Sequence, residues 1–320
     1  MPIGTLNVAL SNYMQRIRNN KMMIDMIAPR VPVDRQSYQY VKWDKSNSRL
    51  TRQTRRAPGA RPQSVRTTFG ADTYFCHGHA LEGNVPFEAQ QYGLGLGFSE
   101  EQALVAFLMD QMTLDAEVEC ANIVLNPALV PNTQTLSGAS MWDNVASDPI
   151  TVIDAAKSAI RQNGVDANFL IFSDPVYTAV KNHPDIVDRL KYTNTTGVYD
   201  TDALSALFEV PVSRASAYVL DDDNNETWVW GESAVLGYSQ QAPSQMDISA
   251  MKQFDWTAAP GTVGGYGVMT FPDPYLNKKT TISSIERYYD LKLTAPGCLF
   301  TFNGCCAVPA YGANAPEVEG

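Results

Sequence analysis

Three stretches of this chain carry side chains of the types that bind metals, move protons or hold charge. Cys76, His77 and His79 fall within four residues and offer thiolate and imidazole donors, but a tetrahedral site needs a fourth ligand at finger-like or ribbon-like spacing, and none follows. On an alternating strand His77 and His79 share a face while Cys76 points away, so the expectation is an ordinary strand with two outward polar residues. Asp221, Asp223, Asn225 and Glu232 stand at positions 1, 3, 5 and 12 of a calcium loop, yet position 6 is Glu226, where the sharp turn requires glycine. Trp228 and Trp230 alternate as strand residues do, so an acidic hairpin turn is expected there. The remaining histidine, His183, precedes Pro184 and reads as a helix break. With no Gly-x-Ser-x-Gly and no phosphate loop, no catalytic residue, cofactor or metal is assigned.

The third stretch is charged. Residues 30–66 hold ten Lys and Arg side chains, among them Arg49, Arg52, Arg55, Arg56, Arg61 and Arg66, against Asp34 and Asp44, a local balance of +8. The chain as a whole carries −10, which leaves −18 on everything else. A basic loop on an acidic body attracts other copies of the same protein, because each loop can lie on a neighbour's negative surface. A solvated flexible loop and a nucleic-acid tether are the other readings.

Length and composition bound what must position these groups. At 320 residues and 44% apolar, the chain can build two cores, or one core with extended arms. A charged content of 18% is low for a protein that stands alone in solvent, so part of its surface is expected to be covered by partners. There is no secretory pattern at Met1–Gln15 and no run of eighteen apolar residues, and the expectation is a soluble, cytosolic chain with no membrane partner. Five cysteines without Cys-x-x-Cys spacing fit reduced thiols, with Cys120 and Cys298 as small core residues.

Before Phe98 little is expected to form a compact core. Met14, Ile17, Met22, Ile24 and Ile27 give a mildly amphipathic segment, and Pro29 and Pro32 then impose an extended path. Gln36–Trp43 and Asp72–His79 read as the two strands flanking the basic excursion. Gly93–Gly97 reads as a hinge, after which Ser99 opens a helix of about 27 residues with Leu104, Phe107, Leu108, Met112 and Val118 near its apolar side, ended by Asn126-Pro127. Leu136–Asp143 is a connection. Asp148 as N-cap and Pro149 at the first helical position start a helix with Ile150, Ile153 and Ile160 on one face and Asn163-Gly164 as its stop. Asn168–Phe172 is an apolar strand, and Ser173-Asp174-Pro175 caps the next helix, which carries Val176, Tyr177 and Val180. A short helix over Asp200–Val210, a hairpin of Val212–Leu220 with Thr227–Ser239, and a long strand over Thr281–Leu293 closed by Pro296–Phe300 complete the reading.

The segment from the apolar strand through "SDPVYTAVKNHPDIVDRLKY" resembles the axial domain of tailed-phage major capsid proteins with the Hong Kong 97-type fold. Arm, basic loop, long helix, axial unit and final long strand follow in the order of that family, from the arm to about Ala307. The resemblance implies an α+β, Hong Kong 97-like capsid fold: an N-terminal arm (1–37), an extended β-hairpin loop (38–97), a peripheral domain with a long spine helix (98–147 and 246–307), an axial α/β domain (148–245) and a C-terminal tail (308–320). It implies a shell protein that assembles with itself as pentamers and hexamers in the host cytoplasm and becomes the virion capsid. Its other implied partners are portal, scaffolding and decoration proteins, and packaged double-stranded DNA held without sequence specificity. The loop arginines Arg49, Arg52, Arg55, Arg56, Arg61 and Arg66 are then inter-subunit contacts. Two departures carry expectations. Too few residues precede the long helix for a built-in scaffolding segment, so scaffolding is expected from a separate protein, and the far loop, Arg49–Arg66, lacks lysine, which disfavours a covalent isopeptide crosslink. The alternatives are an encapsulin-like compartment of the same fold, a nucleic-acid-binding α/β protein, and a hydrolase or oxidoreductase for which no convergent titratable set is recognisable.

Overall fold

A computed structural model of the chain describes residues 5–7, 10–11, 22–42, 54–62, 64, 70–95, 99–191, 200–220, 225–273 and 279–307. In chain order these form β1 (Thr5–Leu6), α1 (Ile24–Ile27), β2 (Arg30–Val33), β3 (Ser37–Lys42), β4 (Gly70–Phe75), β5 (His77–Pro86), α2 (Phe87–Gly95) and the long α3 (Glu100–Val124). Then come β6 (Thr133–Thr135), α4 (Pro149–Arg161), β7 (Phe169–Ser173), α5 (Asp174–Asn182), α6 (Pro184–Leu190), α7 (Thr201–Phe208), β8 (Val212–Ala215), β9 (Tyr218–Leu220), β10 (Glu226–Trp228) and β11 (Ala234–Gly237). The last strands are β12 (Met251–Trp256), β13 (Tyr266–Pro272), β14 (Thr280–Leu293) and β15 (Leu299–Asn303).

Two larger sheets organise the described residues. One runs β1-β13-β14-β12-β2, with β5 on the other side of β14; the other runs β6-β15-β11-β7-β8. β7 explains how they share cores. All five of its residues are buried, and the two-residue period sends Leu170 and Phe172 into one core, with Ile153, Val180, Leu204 and Trp142, while Phe169 and Ile171 enter another with Ile24, Cys120, Met251 and Leu291. β14 alternates in the same way, burying Ser283, Ile285, Arg287, Tyr289 and Leu291. α3 covers this sheet through Leu108 and Met112, which pack with Val268 and Ile285.

Local signals hold where helices begin. Asp148 accepts from the Thr151 amide at 3.1 Å to start α4, Ser99 Oγ accepts from the Gln102 amide to start α3, and Asp200 caps α7. His183 ends α5 and, through Nδ1, accepts from the Asp185 amide to start α6. All five cysteines are free and buried.

Elsewhere the structure corrects the reading. Ser173 precedes α5, but its side chain makes no cap bond, and its buried Oγ has no hydrogen-bond partner among the described residues. Phe107 lies outside the buried face of α3 and is 60% exposed; Val105, Met109, Ala116 and Cys120 are inside instead. Residues 103–109 are apolar without interruption, so helical period could not choose the face. Gly93 and Gly95 end a helix rather than form a hinge; Leu96 and Gly97 lie outside the described residues. The segment before Phe98 contributes to the cores after all, because Met23, Ile24 and Ile27 pack against α3 and β5 pairs with β14 along its whole length. Met14 and Ile17 lie outside the described residues. The return strand stops at Phe75, and Cys76 separates it from β5. Only the distal part of the second expected hairpin pairs with itself, as β9 with β10, whereas β8 and β11 flank β7. The five-stranded sheet also takes β6 and β15 from the span read as peripheral.

Candidate functional site

The basic excursion is held at its root by a small core. β3 and β4 pair from Ser37↔Phe75 to Lys42↔Gly70, and Tyr40, Tyr74 and Cys76 point inward onto Val31, Val33 and Phe254. The Tyr74 ring stacks on Phe254 at 4.6 Å and Tyr40 meets the same ring at 5.3 Å. The Phe75 amide donates to Asp290 at 2.8 Å, and Cys76 and Gln36 are joined through their backbones at 2.8 Å. These contacts fix where the hairpin leaves the body.

Beyond the root, every described residue of 54–62 is exposed. Gly59 takes φ +79°, the left-handed region that favours glycine. Across this turn Arg56 Nη1 donates to the Ala60 carbonyl at 2.8 Å, which leaves Arg55 and Arg61 exposed on either side. Arg49, Arg52 and Arg66 lie outside the described residues.

The Cys76, His77 and His79 stretch does not converge on a point. Cys76 Sγ donates to the Phe254 carbonyl at 3.4 Å, and burial, followed by the charges of Asp290 and Asp255, pushes its thiol up to about 12. His79 stacks on Tyr289 at 4.1 Å, and burial lowers its pKa toward the neutral form. His77 is exposed beside Phe75. Among the described residues no group of three His, Cys, Asp or Glu is placed to hold a metal, and no helix there is long and apolar enough to cross a membrane.

Two buried polar centres were not legible from the sequence. Glu117 of α3 is fully buried and accepts from the Met23 amide (2.9 Å), the Ile24 amide (2.7 Å) and Trp230 Nε1 (2.7 Å). Burial raises its pKa, against the opposing pull of these bonds. Arg287 of β14 donates to both oxygens of Asp255 at 3.0 Å and stands over the Tyr266 and Tyr289 rings. Arg30 bonds Tyr266 OH and pairs with Asp25 at 2.8 Å; burial, then the charge of Arg287, lowers its pKa. A charge inside a presumed apolar helix face leaves no periodic signature, and its donors come from segments distant in sequence. Both centres tie residues 23–30 to the body of the chain.

No protein-family model matches the chain. It is 28% identical over 234 residues to the major capsid protein of Burkholderia phage BcepMu, covering 72% of this chain and 75% of that one. To the major capsid protein of Pseudomonas phage JBD67 it is 29% identical over 187 residues, 56% of this chain and 57% of that one. Among solved structures, a phage-related protein from Bordetella bronchiseptica superposes with TM-score 0.77 at 26% identity over 96% of this chain and 99% of that one. The encapsulin of Synechococcus elongatus superposes with TM-score 0.56 at 11% identity, covering 94% and 92%, a likeness of fold alone. The fold is the Hong Kong 97-like capsid fold.

Proposed function

We infer that this chain, one of the tailed-phage major capsid proteins of the Hong Kong 97-like fold, assembles with copies of itself as pentamers and hexamers into the icosahedral shell around a double-stranded DNA genome. The observation that carries this reading is the sequence relation to a phage major capsid protein over three quarters of that protein's length. The encapsulin-type compartment has the fold behind it but no sequence relation of that strength. The work of the chain is burial of complementary surfaces rather than catalysis.

Several finer statements belong to the same proposal. Residues 1–37 act as arm, 38–97 as extended loop, 98–147 and 246–307 as peripheral unit, 148–245 as axial unit and 308–320 as tail, with β6 and β15 lending the axial sheet two strands. The loop arginines Arg49, Arg52, Arg55, Arg56, Arg61 and Arg66 contact a neighbouring subunit; their support is the +8 balance of residues 30–66 against −18 on the rest and the exposure of Arg55, Arg56 and Arg61. Portal, scaffolding and decoration proteins are further partners, and assembly takes place in the host cytoplasm. DNA is met without sequence preference, because a packaged genome must slide past an acidic body.

Electron microscopy and light scattering of the purified chain test the reading, with pentamers, hexamers or closed shells as the expected result. A strictly monomeric species at high concentration, with and without the cognate scaffold, overturns it. Tight binding to one short duplex sequence over others would overturn the DNA statement.

A further inference from the structure

The β9–β10 hairpin is bonded to neither of the larger sheets. Between it and α5 lies a cavity of about 590 Å³, within the range of about 300–1,000 Å³ typical of ligand sites and larger than one side chain fills. Its wall has an aromatic side, Tyr218 and Trp228, whose rings meet edge to face at 6.3 Å, and Tyr218 is 46% exposed. Carboxylates line it too: Asp174 on α5, Asp143 ahead of α4, and Glu226 on β10, the same strand as Trp228. Asp174 is already paired with Arg214 at 2.5 Å, but Asp143 and Glu226 are exposed and have no ion-pair partner among the described residues; Asp143 only accepts from the Ala307 amide at 2.9 Å. Cys306, also in the wall, is pushed up to about 12 by burial and then by the charges of Asp143 and Glu232, which marks the site as electronegative.

We propose that this cavity is the seat for the basic loop of a second copy of the chain, with Arg55 and Arg61 entering from either side of the turn that Arg56 closes. The proposal rests on the inter-subunit role of the loop and names the surface it lands on. A guanidinium suits such a mixed lining, because its plane stacks on an aromatic face while its N–H fork binds carboxylate oxygens. Arg55 makes no hydrogen bond or ion pair with the described residues, so its charge is available. The opposite signs of loop and wall select this occupant over an acidic segment.

The test uses the full-length chain in three forms: Arg55→Glu with Arg61→Glu, Asp143→Lys with Glu226→Lys, and all four together. Circular dichroism checks folding, and Glu226→Lys alone replaces the pocket pair if the Asp143 change disturbs it. Each reversed form is expected to need at least about tenfold more protein to assemble, since like charges face each other, and the fourfold form is expected to recover. A second measurement places Arg55→Cys and Thr178→Cys in one chain, where oxidation should yield covalent oligomers. If the loop form fails to assemble while the folded pocket form assembles as the original does, the seat is elsewhere and the loop reading stands. If the loop form also assembles normally, both fall.

Discussion

At the scale of single residues, Glu117 joins segments far apart in sequence. Its two oxygens accept hydrogen bonds from the Met23 and Ile24 amides and from Trp230 Nε1 beyond β10. Glu117→Ala strips three buried donors of their acceptor, and at roughly 1–3 kcal/mol for a buried unsatisfied group the expected loss is about 2–4 kcal/mol, some of it recovered by entering water. Glu117→Gln keeps one acceptor oxygen and should cost about 1–2 kcal/mol. The two also separate in pH. Burial holds the Glu117 carboxyl above its ordinary 4.5, so the folded chain keeps this proton to higher pH than the unfolded chain does. Stability from the group is therefore full below about 4.5 and declines as pH rises beyond it. Denaturant titrations from pH 4 upward should show the native chain losing ground to the Gln variant; parallel curves would show that burial does not dominate at Glu117.

At the scale of elements, close packing of strands decides more than any motif. A Cβ placed on Gly237 would meet the Phe169 ring at 2.5 Å and Leu299 at 2.8 Å, and those two residues sit opposite Gly237 on its flanking strands. Gly237→Ala should therefore cost about 1–3 kcal/mol by overpacking, read as a lower denaturation midpoint with an unchanged slope; an unshifted midpoint would mean the strands give way freely. Asp148→Ala, which removes the α4 cap, should cost about 1 kcal/mol. Thr151's hydrogen bonds hold the Asp148 carboxyl below 3.8, so that contribution persists above this value and fades as pH falls below it. The contrast between these two sites explains what could be read in advance. A cap is written within four residues, so Asp148 and Ser99 were legible, as was β7 from its unbroken apolar run. Gly237 gave no such sign, because its reason lies in two strands far away in sequence. The same distance hid the pairing of β5 with β14 and the buried face of α3, where a continuous apolar run erases the helical period. Of the candidate site, the charge of the loop was legible and the cavity proposed to receive it was not, since that cavity is assembled from α5, the β9–β10 hairpin and the segment after β15.

At the scale of the whole molecule, the proposed role of the loop predicts that folding and assembly draw on different parts of the chain. The described loop residues 54–62 are exposed and belong to none of the cores, so changing them costs the subunit little. Replacing Arg52, Arg55 and Arg56 with Glu converts three positive charges into three negative ones, a change of six units on an otherwise acidic chain. Circular dichroism and the thermal midpoint should stay as they are, whereas shells should vanish from electron micrographs at low salt. Ionic strength supplies the discriminating control. With a Debye length of about 8 Å at physiological salt and about 3 Å at 1 M, added salt should weaken assembly of the native chain wherever the contact stays open to solvent, and should partly restore the reversed one. Opposite responses to the same salt are hard to obtain from a folding defect, because a misfolded subunit would not be rescued by screening. If the triple variant forms normal shells at low salt, the loop does not bind a neighbour through these arginines, and its positive charge faces solvent or the packaged nucleic acid instead.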